Sequence, residues 1–188
     1  MTVFNNNIPI TYNLELQHKY MLRSVTQLDN GFDVHYFTKS ESFTERDGIL
    51  LQVNNGSMKN WIGVFAFGIS SFSGVYSMPR KDSFCVVAKG VGYIVSADDP
   101  ETWEIVPATP ITDAKISIDS NVIVFSNFTE LVAYGEKGFL WRSGRLAFDG
   151  LKLTAFEGHY ILGEYFDIRS ERIETFKVNL YKIGRAHV

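Results

Sequence analysis

The residues best suited to binding chemistry lie in the segment 134–153, which has the sequence YGEKGFLWRSGRLAFDGLKL. Arg142 and Arg145 are three positions apart, and Trp141 and Tyr134 precede them on the same stretch. Arginine donates paired hydrogen bonds to carboxylates and phosphates, and arginine and tryptophan are typical anchors of binding interfaces. We therefore predict that Arg142, Arg145, Trp141 and Tyr134 form a rim that binds a protein partner or an acidic or planar ligand.

The same segment can also be explained by architecture alone. Gly135 and Gly138 bracket two polar residues, as in a hairpin turn where glycine supplies a positive φ. Asp149 is followed by a glycine, which is a second turn signal. In this alternative Asp149 has a structural role, holding a turn or pairing with an arginine of a neighbouring unit. One of Leu140 and Trp141 should face the core, because successive residues of a strand point to opposite faces.

The rest of the chain offers little catalytic chemistry. The single cysteine, Cys85, lies in an apolar run without a nearby base, which predicts a buried thiol and not a nucleophile. The histidines lack metal-ligand spacing, and the sequence contains no nucleophile elbow, phosphate-binding loop or dinucleotide fingerprint. We predict no catalytic residue, no metal and no cofactor. The alternative is a propeller-type hydrolase or lyase with an arginine-lined pocket.

Composition narrows the class of protein. The chain has 188 residues, a formal net charge of −3, 45% hydrophobic residues and 21% charged residues. This balance predicts a single globular domain over residues 1–181 and argues against a nucleic-acid binder, which would normally be basic. The first residues show no signal-peptide pattern, and no apolar run is long enough to cross a membrane. We expect a cytoplasmic protein. A specific form of the recognition hypothesis is a small cytoplasmic immunity-type protein that masks a partner.

Strand signals dominate the chain from residue 32 onward. Short segments rich in β-branched and aromatic residues recur about every 8–12 residues, separated by Gly, Asn, Asp, Ser or Pro. Residues 14–28 show no apolar stripe of helical period. The pattern predicts an all-β fold, as a small or incomplete β-propeller-like stack of antiparallel sheets. A β-sandwich is the alternative.

A repeat supports the stack. Residues 84–106 align with residues 122–144, and the alignment places Trp103 and Trp141 38 positions apart. A looser third copy, residues 159–180, brings Phe176 near the tryptophan position. A period of about 40 residues with several strands is typical of propeller blades. We therefore divide the second half into repeat-like units at about 84–120, 121–158 and 159–181.

Residues 96–103, SADDPETW, resemble the Asp-box hairpin of sialidases and other propellers, with Pro100 at the usual glycine position. The resemblance implies structural roles: Asp98 would accept backbone N–H groups, Thr102 would belong to the same turn, and Trp103 would pack under the hairpin. A calcium loop of Asp98, Asp99 and Glu101 is an alternative, but these acids lack the spacing of a dedicated loop.

A wider resemblance covers residues 55–181. The strings AYGEKGFLWRS and RLAFDGL are its most specific pieces, and they resemble a family of uncharacterised bacterial propeller-like proteins. The resemblance carries no established activity, so it implies a fold and no catalytic residue.

The last seven residues, KIGRAHV at 182–188, differ in origin from the rest in our interpretation. Their back-translation resembles a common sequencing adapter. We therefore expect residues 182–188 to be a non-native tail, and we expect the native reading frame to be cut near Tyr181.

Overall fold

The computed structural model describes residues 2–5, 8–38, 47–56, 60–181 and 186–187. The expected tail lies outside the described residues, except for the backbone of Ala186–His187. The described part contains strands, turns and loops, and no helix. The all-β prediction is therefore confirmed.

Short strands follow one another along the whole described chain. They are β1 (Thr2–Asn5), β2 (Ile8–Asn13), β3 (Met21–Ser24), β4 (Asp33–Phe37), β5 (Gly48–Asn54), β6 (Trp61–Ala66), β7 (Gly74–Ser77), β8 (Ser83–Ala88), β9 (Val91–Ser96), β10 (Trp103–Ile105), β11 (Asp113–Ser117), β12 (Val122–Ser126), β13 (Leu131–Gly135), β14 (Gly138–Arg142), β15 (Lys152–Glu157), β16 (Tyr160–Asp167), β17 (Arg172–Asn179) and β18 (Ala186–His187).

The strands form four sheets, which we number by their position in the stack. The first sheet has the strand order β3-β5-β6-β4, and the second has the order β1-β2-β7-β8-β9-β10. The third sheet is β11-β12-β13-β14, and the fourth is β15-β16-β17-β18. Neighbouring strands are antiparallel except for β2 with β7 and β4 with β6, which are parallel.

Three hydrophobic clusters hold the sheets face to face. The first cluster joins the first and second sheets, the second joins the second and third, and the third joins the third and fourth. Strand β8 shows how alternation produces this: Phe84 and Val86 belong to the first cluster, whereas Cys85 and Val87 belong to the second. The two inner sheets are thus buried on both faces, which explains their continuous apolar runs.

The aligned sequence segments occupy equivalent strands. Residues 84–106 contain β8, β9 and β10, and residues 122–144 contain β12, β13 and β14, each a run of consecutive antiparallel neighbours. Trp103 and Trp141 lie on the last strand of their sheets. Phe176 lies on β17, which is the third strand of its sheet, so its alignment with the tryptophans is wrong by one strand.

Candidate functional site

The four residues predicted to form one rim do not converge. Tyr134 is 1% exposed and packs in the second cluster, with its ring edge-on to Phe125 at 6.1 Å. Trp141 lies in the third cluster, on the opposite face of the same sheet, and its indole N–H donates to the Leu180 carbonyl at 2.6 Å. Both aromatic side chains are therefore held by packing. Of the hairpin pair Leu140 and Trp141, it is the tryptophan that faces the core, as one of the two was expected to do.

The two arginines make different contacts. Arg142 forms an ion pair with Glu130, which precedes β13 of the same sheet, so its charge is balanced locally. Arg145 lies in the connection to the fourth sheet, where its Nε donates to the Ala147 carbonyl at 3.0 Å and its Nη2 to the Phe148 carbonyl at 3.3 Å. Its guanidinium also lies 4.5 Å from the centre of the Phe148 ring. Arg145 thus keeps a positive charge without a carboxylate partner in the described part of the chain.

Arg145 borders a shallow surface pocket of about 290 Å³ between the β14–β15 connection and the end of β16. We call this surface the arginine corner, and its lining residues are Arg145, Leu146, Ala147, Phe148, Tyr165, Phe166, Asp167 and Arg169. Two arginines and three aromatic residues therefore line one pocket. Of these residues, Arg145 was predicted from the sequence as a binding residue, whereas Phe148, Phe166 and Arg169 were not.

Four large apolar side chains at this corner or next to it in the sequence or the sheet are exposed. The exposed fractions are 54% for Phe148, 50% for Phe166, 62% for Ile168 and 67% for Ile173. Phe166 and Ile173 are cross-strand partners of β16 and β17, so their side chains share one face of the fourth sheet. A clustered apolar surface bordered by charged residues is typical of an interaction site, whereas a single exposed residue is ordinary.

The acidic residue of the corner, Asp167, is occupied by its own turn. Its carboxylate accepts the backbone N–H groups of Arg169 at 3.3 Å and Ser170 at 3.1 Å. Hydrogen bonding from Ser170 and from these N–H groups holds the pKa of Asp167 below its ordinary value. A carboxylate of lowered pKa is a weak base. It stays ionised at neutral pH, so its negative charge offsets one of the two arginine charges, and the side chains that line the corner keep a net positive charge.

The Asp-box-like hairpin uses a different aspartate from the one predicted. Asp99, and not Asp98, accepts the Glu101 N–H at 3.2 Å and the Thr102 hydroxyl at 2.7 Å. Pro100 lacks an N–H and fixes its φ, so the turn departs from the pattern with glycine at this position. Thr102 belongs to the turn as predicted, but Asp98 makes none of its hydrogen bonds.

The other two structural residues are placed as follows. Trp103 is 37% exposed, with its ring edge-on to Phe37 at 5.6 Å, so the indole packs at the border of the first cluster and only part of it is buried. Asp149 accepts the N–H of Gly150 at 2.7 Å and thereby holds the turn, which is one of its two predicted roles.

Cys85 is fully buried, and burial raises the pKa of its thiol. This agrees with the prediction of a buried thiol, because a protonated and inaccessible thiol is a poor nucleophile. Within the described ranges, no group of three or more His, Cys, Asp or Glu side chains is arranged to hold a metal ion. The same residues include no helix long and apolar enough to cross a membrane.

Comparison of the chain with protein-family models, with curated proteins and with solved structures found no match. The resemblances to Asp-box proteins and to bacterial propeller-like proteins therefore stay predictions. The functional argument depends on the geometry of the sites alone.

Proposed function

We propose that this protein is a non-enzymatic recognition domain that binds a partner protein through the arginine corner. The observation that carries the proposal is that Arg145 and Arg169 line one pocket with the exposed residues Phe148 and Phe166. The exposed Ile173 pairs with Phe166 across the sheet and extends this surface. Arginine and aromatic residues supply most of the binding energy of typical interfaces. The corner combines both kinds of anchor on one surface.

The charges of the corner define the partner's chemistry. Arg145 contacts backbone carbonyls and an aromatic ring, and Asp167 is consumed by its own turn. The two arginines and the one ionised aspartate that line the corner therefore give it a net positive charge, beside an apolar surface. A segment that presents carboxylates next to an aromatic or aliphatic side chain would complement it.

The place of the corner in the stack supports the same proposal. Neighbouring sheets cover both faces of each inner sheet. The outward face of the fourth sheet has no covering layer among the described residues, as the exposure of Thr175 and Lys177 indicates. We also propose that the arrangement is propeller-like, with each four-stranded sheet as a blade. A partner on the arginine corner would then cover the open end of the stack.

A hydrolase or lyase at this corner would need a general base. The only carboxylate that lines the pocket in the described chain is Asp167, whose lowered pKa and backbone hydrogen bonds make it unsuited to that role. The geometry thus favours binding over catalysis.

A peptide selection tests the proposal. We would select binders to the wild-type protein from a random 12-residue display library and measure their affinity for Arg169→Glu and Phe166→Ser variants. Selected peptides should combine acidic residues with an aromatic or aliphatic residue. Both variants should weaken binding by about tenfold or more, since each removes an interface anchor.

Lys137→Glu is the matched control, because Lys137 is exposed in the β13–β14 turn, at the other end of β14 from the corner. It reverses a charge without changing the corner and should leave affinity unchanged. Selected peptides that bind all three variants as tightly as the wild type would overturn the proposal.

A further inference from the structure

A second cleft lies between the outer strands of the second and third sheets. Its volume is about 240 Å³. The residues whose side chains matter most to the argument are Met78, Arg80, Ile94, Glu104 and Tyr134. We call it the inter-sheet cleft. It has no residue in common with the arginine corner.

The cleft has an apolar wall and floor. Met78, Ile94 and Tyr134 all belong to the second hydrophobic cluster, where they are 3%, 8% and 1% exposed. Trp103 also borders the cleft, but its ring packs against Phe37 in the first cluster region, so we assign it no contact with a ligand. Only the small exposed parts of these three side chains border the cleft, where they can contact the end of a short hydrocarbon stem.

Two polar groups in the cleft lack partners in the described chain. Glu104 is the cross-strand partner of Ile94, so the Glu104 side chain lies on the same face of the sheet as Ile94, towards the third sheet. The Glu104 carboxylate forms no ion pair or hydrogen bond with the described residues. Tyr134 likewise forms no hydrogen bond through its hydroxyl with the described residues. Burial and then the Glu104 charge raise the pKa of Tyr134, so the phenol stays protonated at neutral pH and feels this carboxylate.

The positive group that lines the cleft is already balanced. The Nε of Arg80 donates to Asp82 at 2.8 Å and to the Ser83 hydroxyl at 3.0 Å. The uncompensated charge in the cleft is therefore the carboxylate of Glu104. An opposite charge placed beside it would gain electrostatic energy, and a cation over an aromatic ring gains further.

We propose that the inter-sheet cleft binds a small organic cation, a protonated primary amine or a guanidinium, with its charge on Glu104 and its stem on Met78, Ile94 and Tyr134. The volume equals that of about eight water molecules, which suits a group of a few heavy atoms and excludes a nucleotide. The same chemistry occurs in a free amine and in a lysine or arginine side chain of another protein.

Methyl NMR of protein labelled at the methionine methyl groups tests the proposal. Met78 lines the cleft and is buried, whereas Met21 is 67% exposed and lies on β3 of the first sheet. Titration with n-butylamine or butylguanidine should shift the Met78 signal and leave the Met21 signal in place. n-Butanol and butyrate, which have similar stems without a positive charge, should shift neither.

The variant Glu104→Gln should lower the affinity for n-butylamine by at least about threefold, because it keeps the shape of the side chain and removes its charge. Glu136→Gln is the matched control, since Glu136 is an exposed acid in the nearby β13–β14 turn that does not line the cleft. Both positions are on the surface, so both variants should fold. Unchanged affinity in Glu104→Gln, or butyrate binding as well as the amine, would overturn the proposal.

The source of the cation is distinguished in the same titration. A capped Gly-Lys-Gly peptide that binds more tightly than n-butylamine assigns the cleft to a side chain of a protein. The reverse order assigns it to a free small amine. Failure of the peptide, the amine and the guanidine to shift Met78 would contradict the proposal.

Discussion

Two tryptophans at equivalent places in their sheets are held very differently. Trp141 is 6% exposed and donates its indole N–H to Leu180, whereas Trp103 is 37% exposed at the border of its cluster. We expect Trp141→Ala to lower the free energy of unfolding by about 3–5 kcal/mol, through a cavity and an unpaired carbonyl. Trp103→Ala should cost roughly 1–2 kcal/mol, because less apolar surface is lost.

Urea unfolding followed by circular dichroism measures both values. The sequence repeat aligned the two tryptophans, with Trp141 predicted for the binding rim and Trp103 for a structural role, whereas the structure buries Trp141 more deeply. Equal losses in the two variants would contradict the difference in burial.

The hairpin at residues 96–103 gives a sharper comparison between neighbouring residues. Asp99 accepts hydrogen bonds from Glu101 and Thr102, whereas Asp98 is exposed and makes none of the turn's bonds. Asp99→Ala should therefore lower the free energy of unfolding by about 1 kcal/mol, and Asp98→Ala should change it by less than about 0.5 kcal/mol. Thermal unfolding of the two variants, side by side, provides the measurement. A larger loss for Asp98→Ala would mean that the predicted Asp-box role belongs to Asp98 after all.

At the scale of elements, Asp113 connects the third and fourth sheets. Its carboxylate accepts the N–H of Leu153 on β15 at 3.0 Å and the N–H of Ala114 at 2.8 Å. Desolvation by burial raises the pKa of Asp113, although these two hydrogen bonds oppose the shift. Ionised Asp113 is therefore less favourable in the folded chain than in the unfolded chain.

The sign of the pH effect follows from this raised pKa. At neutral pH both states are ionised and the folded chain carries the full cost, which is relieved as pH falls through the folded pKa. The free energy of unfolding of the wild type should therefore increase relative to Asp113→Asn between pH 7 and about pH 3.5, near the unfolded pKa. Urea unfolding of both proteins at the two pH values measures the difference. A difference that stays constant, or changes in the opposite direction, would contradict the assigned cause.

Strands β7 to β14 of the second and third sheets could be predicted from sequence because their signals are local. Apolar runs such as Val122–Ser126, bounded by turn residues, indicate buried strands without knowledge of their partners. The strands Ile8–Asn13 and Met21–Ser24 were missed because they are short, polar in part and stabilised by distant partners. The parallel pairing of β2 with β7 joins segments about 60 residues apart, which no local pattern specifies.

At the scale of the whole molecule, the predicted rim failed for a physical reason. In a sheet with one buried face, alternation separates core residues from surface residues. The third sheet is covered on both faces, so Tyr134 and Trp141 are both buried although they point in different directions. Arg145 was predicted from its residue type and spacing. Phe166 lies on β16 and Arg169 in the β16–β17 turn, and only the tertiary fold brings them beside Arg145.

The open end of the stack is where the molecule leaves apolar surface uncovered. On the outward face of the fourth sheet, Lys152 pairs with Glu164 at 3.5 Å and Lys177 with Glu157 at 2.7 Å, so charged groups cover part of this face. Phe166 and Ile173 at the other end of β16 and β17 lack such cover. A terminal layer of a stacked fold normally has a polar outer face, and this departure marks the surface that we assign to recognition.

Methyl NMR of protein labelled at the isoleucine δ1 positions tests that assignment most directly. Ile168 lies between Asp167 and Arg169 in the sequence, and Ile173 pairs with Phe166 across the sheet, so both are next to the arginine corner. Ile69, which is 96% exposed in the loop before β7, is an internal control. Titration with a selected acidic–aromatic peptide should shift the signals of Ile168 and Ile173, leave Ile69 unchanged, and lose its effect in Arg169→Glu. Tight binding that shifts neither Ile168 nor Ile173 would contradict recognition through the arginine corner.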